Sequence, residues 1–167
     1  GAVDLHRSIV KSSNVYYYQL ANDMGVNAIH DFMKPLGFGQ ITGIDLPGEA
    51  RGVLPSTDWK RTTYRRPEQQ KWYAGETISL GIGQGYNNFT ILQLASATAT
   101  LAAGGVRHVP HLVKARQDAV SLQLHELPQP AAQPLGYRPE HVALVRRAMV
   151  GVTQEGTSRA VFAGAPY

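Results

Sequence analysis

Ser12-Ser13-Asn14-Val15-Tyr16-Tyr17-Tyr18-Gln19-Leu20-Ala21-Asn22-Asp23-Met24-Gly25 reads as a turn written directly into a helix. Serine and asparagine side chains compete for backbone hydrogen bonds, which suits them to caps and turns. Val15 to Met24 then contains neither proline nor glycine, and Gly25 is a residue that closes helices. On the near side, Val3 to Lys11 predicts a short helix, with Asp4 in its first turn and Leu5 and Ile9 one turn apart. The expected local architecture is helix, Ser12–Asn14 turn, helix.

Working outward, Ala28 to Leu36 carries Ile29, Phe32, Met33 and Leu36 at helical spacing, with Pro35 disturbing its last turn and Gly37 ending it. Gly37 to Pro55 is rich in glycine and proline and predicts loop with at most short strands. Ser56 or Thr57 can cap a helical turn through Trp59, and Lys60 to Gln70 reads as polar and exposed. Thr77 to Ile82 is a short β-branched apolar run interrupted by Gly81, Gly83 and Gly85. Thr90 and Gln93 form a capping box for a helix over Ile91 to Ala103, whose apolar positions are Ile91, Leu94, Ala95, Thr98, Leu101 and Ala102. Val106 to Ala115 predicts one or two strands broken at Pro110, and Asp118 to Leu135 a surface excursion. Glu140 to Val152 is an amphipathic helix with Val142, Val145, Ala148, Met149 and Val152 on one face and Pro139 at its first position. An apolar Ala160-Val161-Phe162 stands near the end. Helix signals outnumber strand signals, and no linker separates two domains.

At 43% apolar residues the chain can pack a core. Cysteine is absent, which excludes disulfides, thiol catalysis and cysteine-bound metal. Net charge is +4, from 16 basic and 12 acidic residues. The dense basic run, Lys60-Arg61-Thr62-Thr63-Tyr64-Arg65-Arg66 followed by Lys71, sits among aromatics. A nucleic-acid site is one reading of such a run. A solvated loop with cationic stems lying over rings is the favoured one, and a surface facing anionic lipid or polymer is a third. No apolar run reaches the roughly 18 residues that span a bilayer, and no signal peptide stands at the start.

Four short patterns bear on chemistry. Ser12-x-Asn14 alone fits a helix-capping turn. Ser8-Ile9-Val10-Lys11 matches S-x-x-K, whose lysine reaches the serine one turn away, but that lysine must be desolvated to act as a base. Gly81-x-Gly83-x-Gly85 lacks the glycine spacing and downstream acid of a dinucleotide loop and the lysine of a Walker A loop, so its glycines serve backbone geometry. His108 and His111, three apart in a strand-like segment, point to opposite faces, and His6, His30, His125 and His141 are scattered, so no metal site is assigned. Asn88-Phe89-Thr90 matches a glycosylation acceptor, but Thr90 already serves as a cap.

Longer blocks carry more. The Ser12 to Gly25 stretch resembles the segment around the second active-site motif of class B penicillin-binding proteins, of the penicillin-binding protein 2 type. Leu36-Gly37-Phe38-Gly39 with Thr42-Gly43-Ile44-Asp45-Leu46-Pro47-Gly48-Glu49 is similar to the next family segment. So are Gly81-Ile82-Gly83-Gln84-Gly85-Tyr86 with Thr90 and Gln93-Leu94-Ala95, then Gly105-Val106 with Val109-Pro110-His111-Leu112. The blocks follow the family's order. The resemblance implies an α+β, mostly helical fold: residues 1–167 as the central segment of one transpeptidase domain related to serine β-lactamases. It implies a parent peptidoglycan D,D-transpeptidase that cross-links stem peptides through a serine acyl-enzyme and binds penicillin.

The family's three motifs are S-x-x-K, S-x-N and K-[ST]-G. Ser12 and Asn14 match the middle one as the catalytic pair. Ser12 would relay a proton toward the leaving amine, and Asn14 would hold a substrate peptide carbonyl. The nucleophile motif is expected upstream and K-[ST]-G downstream of this stretch, so Ser8 and Lys11 read as a chance match and the chain by itself as inactive. No cofactor or metal is implied. Implied partners are D-Ala-D-Ala stem peptides, β-lactam antibiotics and a RodA-type glycan polymerase, with no nucleic acid. The implied location is the periplasmic face of a bacterial inner membrane, with the parent anchored by a helix outside this chain. A non-catalytic binding or scaffold module that kept the fold is the alternative.

Overall fold

The computed structural model describes residues 2–165. Helix dominates: α1 Leu5–Val10, α2 Asn14–Met24, α3 Val26–Met33 continued by a 3₁₀ turn at Lys34–Leu36, α4 Thr57–Thr63, α5 Pro67–Gln70, α6 Ala74–Leu80 and α7 Ile91–Ala102. Short strands follow, β1 Val106–Arg107, β2 Ala115–Gln117, β3 Leu124–Glu126 and β4 Gln133–Pro134, then α8 Pro139–Gln154 and α9 Arg159–Phe162. β1 pairs antiparallel with β4, and β2 with β3, so the expected surface excursion carries one arm of an exposed hairpin and then returns to pair with β1. The Thr77 to Ile82 run lies mostly within α6 rather than in a strand.

Local chemistry accounts for several helix ends. The Asp4 carboxylate accepts the Arg7 N–H at 2.7 Å and starts α1. Ser56 Oγ accepts the Trp59 N–H and starts α4. Pro35 tightens the end of α3 into the 3₁₀ turn, and Gly37 closes it in left-handed geometry at φ 97°. The Thr90–Gln93 capping box forms in both directions, each bond 3.1 Å. Gln93 does more than cap. It is 1% exposed, and its Nε2 also donates to the Gln40 and Arg51 carbonyls, pinning the long loop between α3 and α4 onto α7.

The core gathers Leu36, Phe38, Leu54 and Ala97, with Met33, Phe89, Leu135 and Tyr137 packed against it and the Phe38 and Phe89 rings 4.4 Å apart. Here the expected apolar face of α7 is corrected. Gln93, Ala97 and Thr100 face inward, while Ile91 is 80% exposed and Leu94 44%. The inward face meets backbone at close range, so small and hydrogen-bonding residues fit it where leucine does not. Leu94, Thr98 and Leu101 instead wall an apolar groove of about 410 Å³ with Phe32 and Tyr137.

Within Lys60 to Gln70, otherwise mostly exposed as expected, Lys60 is the second correction. Lys60 lies in α4 and is 3% exposed. Its ammonium pairs with the Glu76 carboxylate, donates to the Lys71 carbonyl at 2.8 Å, and sits 5.3–5.5 Å from the Trp72, Tyr73 and Tyr86 ring centres. Glu76 also accepts the Tyr86 hydroxyl and the Tyr73 N–H, each at 2.8 Å. Burial pushes the Lys60 pKa down, but its bonds to Glu76 and Tyr86 outweigh that and the net shift is upward. Burial pushes Glu76 up, and its bonds to Lys60, Tyr73 and Tyr86 bring it net downward. Glu76's contribution to stability is therefore present above the ordinary carboxylate range and lost as pH falls through its lowered pKa. That of Lys60 is lost as pH rises through its raised one. The pair is intact at neutral pH.

Candidate active site

The Ser12 turn is built by the end of α1. Ser13 N–H donates to the Ser8 carbonyl at 2.9 Å and Ser12 N–H to the Ile9 carbonyl at 3.1 Å, the two crossed bonds of a Schellman motif. Ser12 therefore occupies the left-handed position, with φ 51°, where glycine or asparagine is usual. Its side chain is exposed. Asn14 is the first residue of α2 and is exposed; Ser13 holds the N-cap position.

Capping is the role that pattern alone assigns to these residues; the turn does close the end of α1 through its backbone, but neither side chain starts α2. No side chain caps α2, and the Asn14 amide has no hydrogen-bond partner among the described residues. The turn thus presents the Ser12 hydroxyl and the Asn14 amide outward, one on each side of Ser13. The Ser12 hydroxyl lies 3.3 Å from that of Thr157, and either can donate.

Thr157 comes from the loop joining α8 to α9, which is tied to the end of α1. The Thr157 N–H donates to the Val10 carbonyl at 3.3 Å, and Lys11 Nζ donates to the Glu155 carbonyl at 2.6 Å. Glycine at position 156 makes this approach possible, since a β-carbon there would stand 2.3 Å from the Val10 oxygen. No local pattern pointed to Thr157, because it meets Ser12 across 145 residues of chain.

Ser8 and Lys11 do not form a dyad. Ser8 is fully buried, with its hydroxyl donating to the Leu5 carbonyl at 2.7 Å and lying 3.1 Å from that of Tyr17. Lys11 is exposed and committed to Glu155. The glycine triplet proves to be backbone geometry. A β-carbon on Gly81 would meet the Tyr17 oxygen of α2 at 2.5 Å, and Gly83 and Gly85 have positive φ. Among the described residues no three histidine, aspartate or glutamate side chains converge as a metal site, and no helix is long and apolar enough to cross a membrane.

The comparisons agree on one family. The model of the penicillin-binding protein transpeptidase domain matches residues 1–167. The peptidoglycan D,D-transpeptidase MrdA of Acinetobacter baumannii is 40% identical over 161 residues, 96% of this chain and 23% of that protein. Penicillin-binding protein 2 of Pseudomonas aeruginosa, solved in complex with WCK 5153, superposes at a TM-score of 0.82 and 38% identity over 99% of this chain and 36% of its own. A chain of a peptidoglycan synthase complex, solved for its coordination of polymerization and crosslinking, superposes at 0.81 and 32% identity over 99% of this chain and 26% of its own. The chain spans about a quarter of the length of the curated relatives it matches. The chain belongs to the penicillin-binding protein transpeptidase family, and its close homologues are peptidoglycan D,D-transpeptidases of the penicillin-binding protein 2 type.

Proposed function

We propose that residues 1–167 are the central segment of a peptidoglycan D,D-transpeptidase domain and that Ser12 and Asn14 are catalytic residues of its site. The supporting observation is the idle chemistry of the turn. Ser12 sits in an unfavourable backbone region, and neither it nor Asn14 is used to start α2. Strain of this kind persists where surrounding structure enforces it, and it gathers at functional sites.

In this reading the nucleophilic serine belongs to an S-x-x-K motif upstream, and a K-[ST]-G strand downstream completes the pocket. The nucleophile attacks the carbonyl of the terminal D-Ala-D-Ala bond, and the departing amine must gain a proton. The Ser12 hydroxyl gives its proton to that amine and takes one from the conjugate acid behind it, so it ends unchanged. The Asn14 amide donates to a carbonyl of the stem peptide and fixes its orientation. A β-lactam enters the same path through its strained amide and stays as an acyl-enzyme. The partner in this reading is a RodA-type polymerase, in keeping with the solved peptidoglycan synthase complex, and the location is the periplasmic face of the inner membrane.

Asn14→Ala in the full-length protein tests the reading. Loss of a hydrogen bond that matters in the transition state costs about 2.7–4 kcal/mol, or on the order of 10²–10³ in rate. Acylation by a reporter penicillin slows by that factor while the melting temperature stays within a degree or so, because Asn14 caps nothing. Acylation at the wild-type rate would remove Asn14 from the site. The isolated 167-residue chain, treated with the same penicillin, shows no adduct by intact mass; a stoichiometric adduct on Ser8 would overturn the chance-match reading of that motif.

A further inference from the structure

We propose that Thr157 is the positioning residue of the Ser12 hydroxyl; the proposal rests on the proton-relay reading of Ser12. A relay hydroxyl works only if its O–H bond and lone pairs point along the proton's path. Ser12 is exposed and its hydroxyl rotates freely about the Cβ–Oγ bond unless a neighbour holds it. Thr157 Oγ1, 3.3 Å away, is the one side-chain partner of Ser12 among the described residues.

Thr157 is itself held. Its N–H is bonded to the Val10 carbonyl, two residues before Ser12, and the neighbouring Glu155 carbonyl takes the Lys11 ammonium. Its side chain is β-branched, which restricts the rotation that would carry Oγ1 away. The bare backbone at position 156 lets this loop press against the end of α1. The two residues are therefore brought together from opposite ends of the chain by contacts that do not involve their hydroxyls. Docking of α8 on α1 does not need the Thr157 hydroxyl, because the Thr157 N–H, the Lys11 bond and the Val10 side chain against Gly151 remain without it. With one contact given to Thr157, Ser12 Oγ keeps its remaining capacity for the substrate and for the group that resupplies its proton.

The test is a set of variants of the full-length enzyme, read by acylation with a reporter penicillin and by melting temperature. Thr157→Val keeps the shape and removes the hydroxyl, and it is expected to slow acylation about tenfold with an unchanged melting temperature. Thr157→Ser is expected to restore most of the rate. Thr157→Ala supplies the same loss if valine disturbs the turn. In a Ser12→Ala background, Thr157→Val is expected to do nothing further, since its partner is gone. A wild-type rate in Ser12→Ala alone would end the relay reading, and this proposal with it. A slow Ser12→Ala enzyme beside a wild-type Thr157→Val enzyme would leave the relay standing and overturn the role of Thr157. An equal loss from Thr157→Val in both backgrounds would show that Thr157 acts independently of Ser12, and would overturn it too.

Discussion

The Ser12 turn and the Lys60 cage are both polar, and they use their polar atoms in opposite ways. In the cage the charged groups are spent inward. Lys60 holds Glu76 and the Lys71 carbonyl, Glu76 holds Tyr86 and the Tyr73 N–H, and aromatic rings close over the ammonium. In the turn the Ser12 and Ser13 N–H groups are bonded back to α1, but the Asn14 side-chain amide has no partner among the described residues and the Ser12 hydroxyl has one. Three α-helical segments converge on the cage: α4, α5 and α6. The turn holds Ser12 at positive φ to close α1, and neither polar side chain caps α2. Saturated polar clusters hold folds together, whereas unsaturated ones on strained backbone are kept for something that binds.

Breaking the cage gives the largest expected effect on stability. Glu76→Gln in the full-length protein leaves the buried Lys60 charge without its counter-ion. Removing one member of a buried pair costs about 3–5 kcal/mol, and the side-chain amide retains some of the bonds, so the lower end applies. Thermal or denaturant unfolding measures it. Adding Lys60→Met to Glu76→Gln recovers much of the loss, because the buried charge is then gone and the glutamine side-chain amide can still accept from the Tyr73 N–H and bond the Tyr86 hydroxyl. Protein that stays folded acylates at the wild-type rate. A cage variant that keeps its melting temperature and loses acylation would erase the contrast between the two regions.

Sequence reading succeeded where the deciding contacts are local. The Thr90–Gln93 box, the glycine at 25 and the proline at 139 act within a turn of where they stand, and the helices begin or end beside them. It failed where a distant element decides. Ile91 and Leu94 look like core, but Gln40 and Arg51 carbonyls claim the other face of α7 through Gln93. Lys60 looks solvated because its burial depends on Glu76, Trp72 and Tyr86, each beyond the reach of helical periodicity. The density of aromatics around the basic run was the available sign, and it was read as stems lying over rings rather than as a closed cage. At the candidate site, family resemblance marks Ser12 and Asn14 as candidates; local pattern assigns them only a capping turn, which closes α1 through its backbone while neither side chain caps α2. Thr157 left no local trace.

The smallest expected effect on stability is the most informative. Ser12→Gly places the residue best suited to left-handed backbone at φ 51° and deletes the hydroxyl. In the full-length protein, melting temperature and penicillin acylation rate are measured on the same preparation. The account predicts a melting temperature unchanged or raised, by at most about 1 kcal/mol of stability, together with acylation slowed on the order of 10²-fold or more. Wild-type acylation by the glycine variant, or a rate that falls only as the melting temperature falls, would contradict it.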